Sequence, residues 1–226
     1  MGGTRRTPLQ TTELGDLVER VAQATEALRK QRSLLVAISG IDASGKGVLA
    51  ARLAAALEKR GLGVALIGLD AWHRPQTMRL SHHNAAEHFY RHAFRWDELF
   101  DLLIDPLVQK RSIELETKLI EVAQDNFYTH AYKFRDIDAV LLEGTFLSKK
   151  EFRDRYDLAL WVECSFEAAL ARALRRNQEG LPEQQIIDDY ERIYFPAQRI
   201  HLAEDNPKGS ADLIYLNEER RVAKGH

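Results

Sequence analysis

Cysteine is nearly absent from this chain, since Cys164 is the only one among 226 residues. One cysteine cannot form an intramolecular disulfide, which excludes the small secreted domains that disulfides hold together. No stretch at the start of the chain combines a basic start with an apolar core of signal-peptide length. We therefore expect a cytoplasmic protein.

Long hydrophobic runs and an excess of basic charge are missing too. Apolar stretches such as 34–38 have the length of a strand, whereas a membrane-spanning helix needs roughly 20 apolar residues, so we expect no membrane association. The 32 lysines and arginines are opposed by 34 acidic residues, which argues against a nucleic-acid surface. The expected partner is a small anion. The oligomeric state stays open, and a homo-oligomer is compatible with the sequence.

Glycine is concentrated in one motif directly after the first apolar run. Residues 40–47 read GIDASGKG and match the pattern G-x-x-x-x-G-K-[ST] except at Gly47, where a magnesium-binding hydroxyl is expected. Glycines let the backbone wrap an anion, successive N–H groups point inward, and Lys46 can reach the β- and γ-phosphates from the start of a helix. The motif predicts a bound nucleoside triphosphate.

The context of the motif supports this interpretation, because a strand pattern precedes it and a helical pattern, 48–59, follows it. Two alternatives remain: a glycine-rich turn that only joins a strand to a helix, or a damaged loop in which Gly47 has removed the metal ligand. The expected nucleotide-binding residues of the loop and its first helical turn are Gly40, Asp42, Ala43, Ser44, Gly45, Lys46, Gly47 and Val48.

Strand and helix patterns alternate along the chain, which predicts one α/β domain with parallel strands and a small lid. We expect a disordered start at 1–10, a helix at 96–108 that stops near Pro106, and two weak strands within 113–134. The predicted organisation is an N-terminal extension with a helix at 1–33, a main domain at 34–217 with a lid at about 166–182, and a tail at 218–226. The remaining predicted helices cover 14–32, 166–177 and 182–203, and the remaining strands cover 34–39, 64–69, 139–142, 158–162 and 211–216.

Two carboxylates follow predicted strands. Asp70 comes after the strand at 64–69, and Glu143 after the strand at 139–142. In an open parallel sheet ligands bind beyond the carboxyl ends of the strands, so both acids should meet the loop in one crevice. Phosphoryl transfer needs a carboxylate for magnesium and often a second one to accept a hydroxyl proton. The alternative is that each acid only caps the turn that follows it.

Three arginines, Arg172, Arg175 and Arg176, lie on one predicted helix, where they can present guanidinium groups from a common face. Arginines that close over phosphates neutralise charge and exclude water. A hinge-like turn at 178–182 follows directly, which favours a lid over a solvated basic face.

The segment after Asp70 is rich in histidines and aromatic residues. Its histidines could form a zinc site, contact a substrate or lie in a solvated loop, and the absence of an H-E-x-x-H arrangement argues against zinc. Its aromatic side chains could stack on a planar base or belong to the core. The residues concerned are His73, His82, His83, His88 and His92, and Trp72, Phe89, Tyr90, Phe94 and Trp96.

From Leu34 to about Asn217 the chain resembles the uridine kinase and phosphoribulokinase branch of the P-loop kinases. The residues DAWHRP at 70–75 look like that family's strand-end aspartate and the aromatic pair after it, and AFRWD at 93–97 looks like its A-F-D-W-D stretch. LEGTFL at 142–147 is similar to its E-G-I-F-L turn, and 166–176 is similar to its lid helix. Residues 194–198 and 211–214 are similar to its closing segment.

The resemblance implies a three-layer P-loop fold with a mainly parallel sheet, and transfer of the γ-phosphoryl group from ATP to a hydroxyl with Mg²⁺ as cofactor. It implies that Asp70 is the general base and that Glu143 organises magnesium with Asp70. The expected acceptor is a uridine- or cytidine-like nucleoside, with a sugar phosphate or a pantothenate-like alcohol as alternatives. Lys46, Arg172, Arg175 and Arg176 are expected to act on the donor, and His73, Arg74, His92 and Phe94 on the acceptor.

Two positions depart from this family's pattern. His92 stands where nucleoside-binding members carry an aspartate for the ribose hydroxyls, and Gly47 replaces the loop hydroxyl. The loop also resembles the G-x-D-A-x-G-K-G pattern of polyphosphate kinases that phosphorylate nucleotides, but their D-R-S-x-Y segment is missing. A minority hypothesis therefore takes polyphosphate as the donor, and another takes the chain as a nucleotide-binding switch without transfer activity.

Overall fold

The computed structural model describes residues 8–28, 31–177 and 180–217. The expected tail at 218–226 lies outside the described residues, as do residues 1–7 of the expected disordered start and residues 178–179 of the expected hinge. In chain order the elements are β1 (Leu9–Thr11), α1 (Leu14–Leu28), β2 (Leu34–Gly40), α2 (Lys46–Glu58), β3 (Val64–Gly68), α3 (Gln76–Arg79), α4 (Ala85–His92), α5 (Trp96–Glu98), α6 (Asp105–Lys110), β4 (Ile113–Glu121), β5 (Asn126–Phe134), β6 (Ala139–Gly144), β7 (Leu158–Glu163), α7 (Phe166–Arg176), α8 (Glu183–Asp189), α9 (Phe195–Asp205), α10 (Pro207–Ser210) and β8 (Leu213–Leu216).

Six strands form one parallel sheet in the order β1-β8-β7-β2-β6-β3. Strand β2 is fully buried, and its side chains alternate between the two faces of the sheet. Leu34, Val36 and Ile38 pack in a cluster with residues of α1 and α2. Leu35 and Ala37 pack with residues of α4, α6 and α9. Helices therefore cover both faces, and the predicted three-layer α/β architecture is confirmed.

Strands β4 and β5 form a separate antiparallel hairpin, and the prediction of two strands in this region is confirmed. The turn of the hairpin is fastened to the segment after β3. Asp125 Oδ1 accepts hydrogen bonds from Gln76 N at 2.8 Å and from Arg79 Nη1 at 2.9 Å. The hairpin is therefore held against the carboxyl edge of the sheet.

Two sequence predictions are wrong. Residues 9 and 10 are not disordered, because they belong to β1, which pairs with β8 in parallel register. Pro106 does not stop the helix that starts at Trp96, because a π-helical segment, Leu99–Ile104, precedes it and the chain continues as α6 to Lys110. Proline lacks an N–H and clashes with the preceding turn in a regular α-helix, and the wider π turn accommodates it.

No helix among the described ranges is both long and apolar enough to cross a bilayer.

A buried polar network joins α4 to α9. Asp205 Oδ2 accepts hydrogen bonds from the Tyr90 hydroxyl at 2.5 Å and from His201 Nδ1 at 2.7 Å, and Asp205 Oδ1 accepts one from Lys150 N at 3.0 Å. Burial by itself raises the pKa of Asp205, but these hydrogen bonds outweigh it and hold the pKa at about 2. The network fixes α4, which carries Phe89, against α9, which continues the helix that carries Tyr190 and Tyr194.

We predict that the Asp205→Asn variant loses about 2 kcal/mol of unfolding free energy at pH 7, because the folded pKa lies below the value of roughly 3.9 in the unfolded chain. A depressed carboxyl pKa stabilises the fold above the unfolded pKa, and this contribution is lost as the pH falls towards the folded pKa. The difference in unfolding free energy between wild type and variant should therefore narrow below about pH 4. Urea unfolding followed by circular dichroism between pH 7 and pH 3 measures this difference.

The matched control is Asp101→Asn, since Asp101 is exposed on the helix that begins at Trp96. Its unfolding free energy should stay within about 0.5 kcal/mol of wild type. A gap for Asp205→Asn that stays constant from pH 7 to pH 3 would contradict the assigned pKa.

Candidate functional site

The loop between β2 and α2 has the backbone of an anion cradle. Ala43 and Gly45 adopt positive φ angles of 53° and 90°, and the first hydrogen bond of α2 runs from Leu49 N to Gly45 O at 3.0 Å. The N–H groups of residues 45–48 therefore have no partner inside the helix, and they concentrate positive potential at its N-terminus. This is the arrangement that binds phosphate groups in proteins.

The outer side of the loop is clamped by groups from α7 and the end of β8. The carbonyl oxygen of Ser44 accepts hydrogen bonds from Asn217 Nδ2 at 2.7 Å and from Arg172 Nη1 at 3.1 Å. Arg172 Nη1 also lies 3.1 Å from the sulfur of the buried Cys164, and Nη2 donates to Asn217 O at 2.6 Å. Arg172 thus ties the predicted lid helix to the loop backbone, and this contact gives it a positioning role.

The carboxylate of Glu143 lies close to two glycines. A Cβ added at Gly68 would lie 3.2 Å from Glu143 Oε1, and one added at Gly47 would lie 3.7 Å from the same oxygen. The carboxylate therefore sits between the end of β3 and the first turn of α2. Lys46 is buried beside it, with Nζ 3.9 Å from Asp42 Oδ1.

Burial raises the pKa of Glu143 to about 7. The charge of Lys46 opposes this rise, while the carboxylates of Asp70 and Asp42 add to it, and Arg176 lowers the pKa. Burial, supported by the two neighbouring acids, therefore brings the pKa of Glu143 close to neutral pH, and a bound cation would stabilise its charged form.

The donor set is compatible with Mg²⁺. Within the described ranges no three side chains of histidine, cysteine, aspartate or glutamate converge into a metal site of their own. Magnesium in kinases is usually held by one or two carboxylates together with substrate phosphates and water. Glu143 and Asp70 beside an anion cradle satisfy that requirement.

A cavity of about 420 Å³ opens next to the loop. Asp42, Asp70 and Arg176 line one part of it, and hairpin residues 120–123 line another. The remaining lining residues include Ala71, His73, Arg79, Phe89, Tyr128, Thr145, Tyr190 and Tyr194. The volume lies within the range of small-molecule sites.

His73 is the histidine that the structure brings to this cavity. Its Nδ1 lies 2.7 Å from Asp70 O, and because a carbonyl only accepts, Nδ1 donates and Nε2 is left as an acceptor. Burial lowers the pKa of His73, although Asp70 opposes this, so the ring is neutral at pH 7. Phe94 packs against it at a centroid distance of 4.2 Å.

Other predicted acceptor residues lie elsewhere. Phe94 is buried behind His73 and does not line the cavity. Arg74 lines a second cavity, described below. His92 is exposed on α4, because its side chain leaves the helix on the solvent side, and its ring lies tilted against that of His88 with the centroids 4.7 Å apart.

The other predicted site residues also divide into some that line the cavity and some that do not. Arg176 lines the cavity, whereas Arg175 is exposed on α7 and is not among its lining residues. His82 and His83 are exposed. Of the five aromatic residues, Phe89 reaches the cavity wall, and the core interpretation is confirmed for Trp72, Tyr90, Phe94 and Trp96.

The sequence analysis did not assign Arg79 or the hairpin to the functional site. Arg79 is buried in the cavity wall, where Nη1 donates to Arg74 O at 2.8 Å and to Asp125 Oδ1 at 2.9 Å. Tyr190 and Tyr194 were missed too, and they lie in a π-helical segment, Tyr190–Tyr194, between α8 and α9. No local pattern marks these residues, since the contacts that define their roles join distant parts of the chain.

No protein-family model matches the sequence, and the search of curated proteins finds no match. Solved structures do match. A possible uridine kinase from Bacillus stearothermophilus is 22% identical with a TM-score of 0.68, covering 89% of this chain and 98% of its own. A candidate fructose transport system kinase from a Silicibacter species is 22% identical with a TM-score of 0.72, covering 91% and 100%. A D-glycerate 3-kinase from Cryptococcus neoformans is 12% identical with a TM-score of 0.63, covering 94% and 97%.

These similarities concern the fold. The chain has the three-layer α/β fold of P-loop kinases, and the predicted resemblance to the uridine kinase-like branch is confirmed at this level. The three similar proteins are named for different substrates, so the fold alone does not select an acceptor.

We predict that Gly45→Ala weakens both the fold and nucleotide binding. An alanine at φ 90° is strained, and its Cβ would lie 2.4 Å from Asn217 Nδ2, which must move and release Ser44 O. The control Gly61→Ala has a similar φ of 80° with no atom within 4 Å of the added Cβ. It should cost about 1 kcal/mol of unfolding free energy and leave ATP affinity unchanged. Thermal unfolding and ATP titration measure both effects, and equal ATP affinities of the two variants would argue against the clamp.

Proposed function

We propose that this protein is an ATP-dependent phosphotransferase that moves the γ-phosphoryl group to a hydroxyl of a small molecule. One observation carries the proposal: Asp42 of the phosphate-binding loop and Asp70 line one cavity, and the ammonium of the buried Lys46 lies 3.9 Å from Asp42 Oδ1. Phosphoryl transfer depends on positioning and on electrostatic stabilisation, and this cavity supplies both.

Each group near the loop has a part in the proposed reaction. The N–H groups of residues 45–48 and the ammonium of Lys46 bind the phosphates of the donor. Asp70 accepts the proton of the acceptor hydroxyl, and the hydrogen bond from His73 to Asp70 O fixes the turn that presents it. Arg176 neutralises charge on the transferred group. Glu143 and Asp70 would hold Mg²⁺, which supplies charge neutralisation at the phosphate oxygens.

The charges of the cavity favour an uncharged acceptor. Away from the loop the cationic lining residue is Arg79, and its guanidinium is already engaged by Asp125 and by Arg74 O. Glu121 adds a negative charge to the same region. A sugar phosphate or the carboxylate of a pantothenate-like alcohol would meet no available cation there, so these two candidates are less well supported.

The aromatic lining favours a planar group on the acceptor. Phe89, Tyr190 and Tyr194 form one aromatic wall, with ring centroids 5.2 Å apart for Phe89 and Tyr194 and 5.3 Å apart for the two tyrosines. Tyr128 faces the cavity from the hairpin. Stacking of a base between such rings supports a uridine- or cytidine-like nucleoside as the first acceptor to test.

We predict that wild-type protein with Mg²⁺ and ATP releases ADP faster when uridine or cytidine is present than without an acceptor. Asp70→Asn should lower this acceptor-dependent rate at least about 100-fold, since general base catalysis is lost, and should leave ATP affinity within about twofold. The exposed Asp101→Asn is the matched control and should keep the wild-type rate. Coupled ADP detection and ATP titration provide the two measurements.

The contrary outcomes are distinct. ATP binding without acceptor-dependent ADP release across nucleosides, sugars and sugar phosphates would favour a binding protein without transfer activity. Product that forms with polyphosphate but not with ATP would favour polyphosphate as the phosphoryl donor. An unchanged rate in Asp70→Asn would remove Asp70 as the base.

Gly47→Ser tests how the metal is held. A Cβ at this position lies 3.7 to 3.9 Å from the Glu143 carboxylate, an ordinary contact distance, so serine fits and its hydroxyl adds a metal ligand. We expect tighter Mg²⁺ binding to the protein with ATP, by about threefold to tenfold. Gly47→Ala is the matched control, because it adds the Cβ without the hydroxyl. Equal Mg²⁺ affinities of the two variants in calorimetric titration would mean that other groups already complete the coordination.

A further inference from the structure

A second cavity lies on the outer side of the hairpin. Its volume is about 550 Å³, and it is separate in its lining from the cavity that contains Asp70. No residue of the proposed transfer reaction contributes to it. Six of its lining residues carry the inference: Arg74, Met78, Arg95, Glu98, Lys118 and Phe127.

The lining has a surplus of positive charge. Glu98 is the acid of this set, and it is paired with Arg95 Nη1 at 2.7 Å. Arg74 uses Nε for a hydrogen bond to Phe94 O at 3.2 Å. Among the described parts of the chain, no hydrogen bond or ion pair engages the two amino groups of Arg74 or the ammonium of Lys118. Two cations therefore face one space with their charge available.

The same cavity has an aromatic surface. Phe127 and Met78 are 47% and 50% exposed, so both offer apolar surface to a ligand. The guanidinium of Arg95 lies 5.5 Å from the ring centroid of Phe127 and 5.3 Å from that of Trp72. Hydrogen bonds from Arg95 Nε to His73 O and from Nη2 to Lys118 O, at 3.2 and 2.8 Å, fix this stack in place.

We propose that this cavity binds a small anionic metabolite that carries a planar ring, with its phosphate or carboxylate at Arg74 and Lys118 and its ring against Phe127. Charge complementarity selects the anion, and the exposed ring selects the planar group. The volume matches that of sites for small molecules, which favours a metabolite over a macromolecule.

The two cavities are lined by residues that are neighbours in the chain. His73 lines the first cavity and Arg74 the second, and on β5 Tyr128 lines the first and Phe127 the second. A ligand that holds Arg74 and Phe127 therefore restrains the backbone that positions His73 and Tyr128. This makes the second cavity a regulatory site for the first, acting through the hairpin.

The test uses 1-naphthyl phosphate as the probe and isothermal calorimetry of the full chain. Lys118→Gln should weaken binding about tenfold, because a charge-assisted contact is lost. The matched control is Lys133→Gln. Lys133 lies on the same hairpin, but its Nζ pairs with Glu114 Oε1 at 3.3 Å, and it lines neither cavity. Lys133→Gln should bind the probe as wild type does, and neutral 1-naphthol should bind at least about tenfold more weakly than the phosphate. Circular dichroism verifies that each variant is folded.

Hydrogen–deuterium exchange tests the coupling between the two cavities. The probe should slow exchange in residues 120–130 of the wild type but not of the Lys118→Gln variant.

Several results would overturn the proposal. Probe binding that Lys46→Gln abolishes and Lys118→Gln leaves intact would locate the anion at the phosphate loop. Equal affinities for 1-naphthol and 1-naphthyl phosphate would mean that the cavity makes only apolar contacts and does not select an anion. No measurable binding of the probe would exclude the site. Unchanged exchange in the hairpin would exclude the regulatory coupling.

Discussion

The buried carboxylate of Glu143 is the constraint on which the arrangement of this site depends. It lies between two positions without side chains, Gly47 and Gly68, and its burial would be unfavourable without compensating charge. Lys46 supplies part of that charge, while Asp42 and Asp70 oppose it. The balance leaves a site with surplus negative charge next to a helix N-terminus. Such a site is suited to bind a cation together with phosphates.

Gly47 takes on a different meaning in this setting. At the level of the sequence it is a missing hydroxyl, which suggests a weakened metal site. In the structure it lies beside the carboxylate of Glu143, which approaches the first turn of α2. The place of the missing hydroxyl is therefore next to a carboxylate that can bind the metal, and a small side chain at position 47 would still fit there.

The hairpin formed by β4 and β5 is the second structural unit that shapes the site. It is not part of the main sheet, and it is fastened through Asp125 to Arg79 and Gln76. These contacts cross more than 40 residues of sequence. The hairpin closes the proposed acceptor region on one side and exposes Phe127 to a second cavity on the other. A segment that the sequence marks only as two weak strands therefore contributes lining residues to both cavities.

The sequence by itself determined the groups whose chemistry depends on local order: the glycine-rich loop, Lys46 at the start of a helix, and acids at the ends of two parallel strands. Periodicity and turn chemistry act over a few residues, and the carboxyl ends of parallel strands necessarily meet at one edge. Only the tertiary structure decided that His73 and Arg176 reach the cavity while His92 does not, that Arg172 clamps Ser44 O, and that Arg79 anchors the hairpin. Those outcomes depend on contacts between distant segments and on the packing of whole helices. No local pattern in the sequence specifies such contacts, because each of them joins residues that are far apart in the chain.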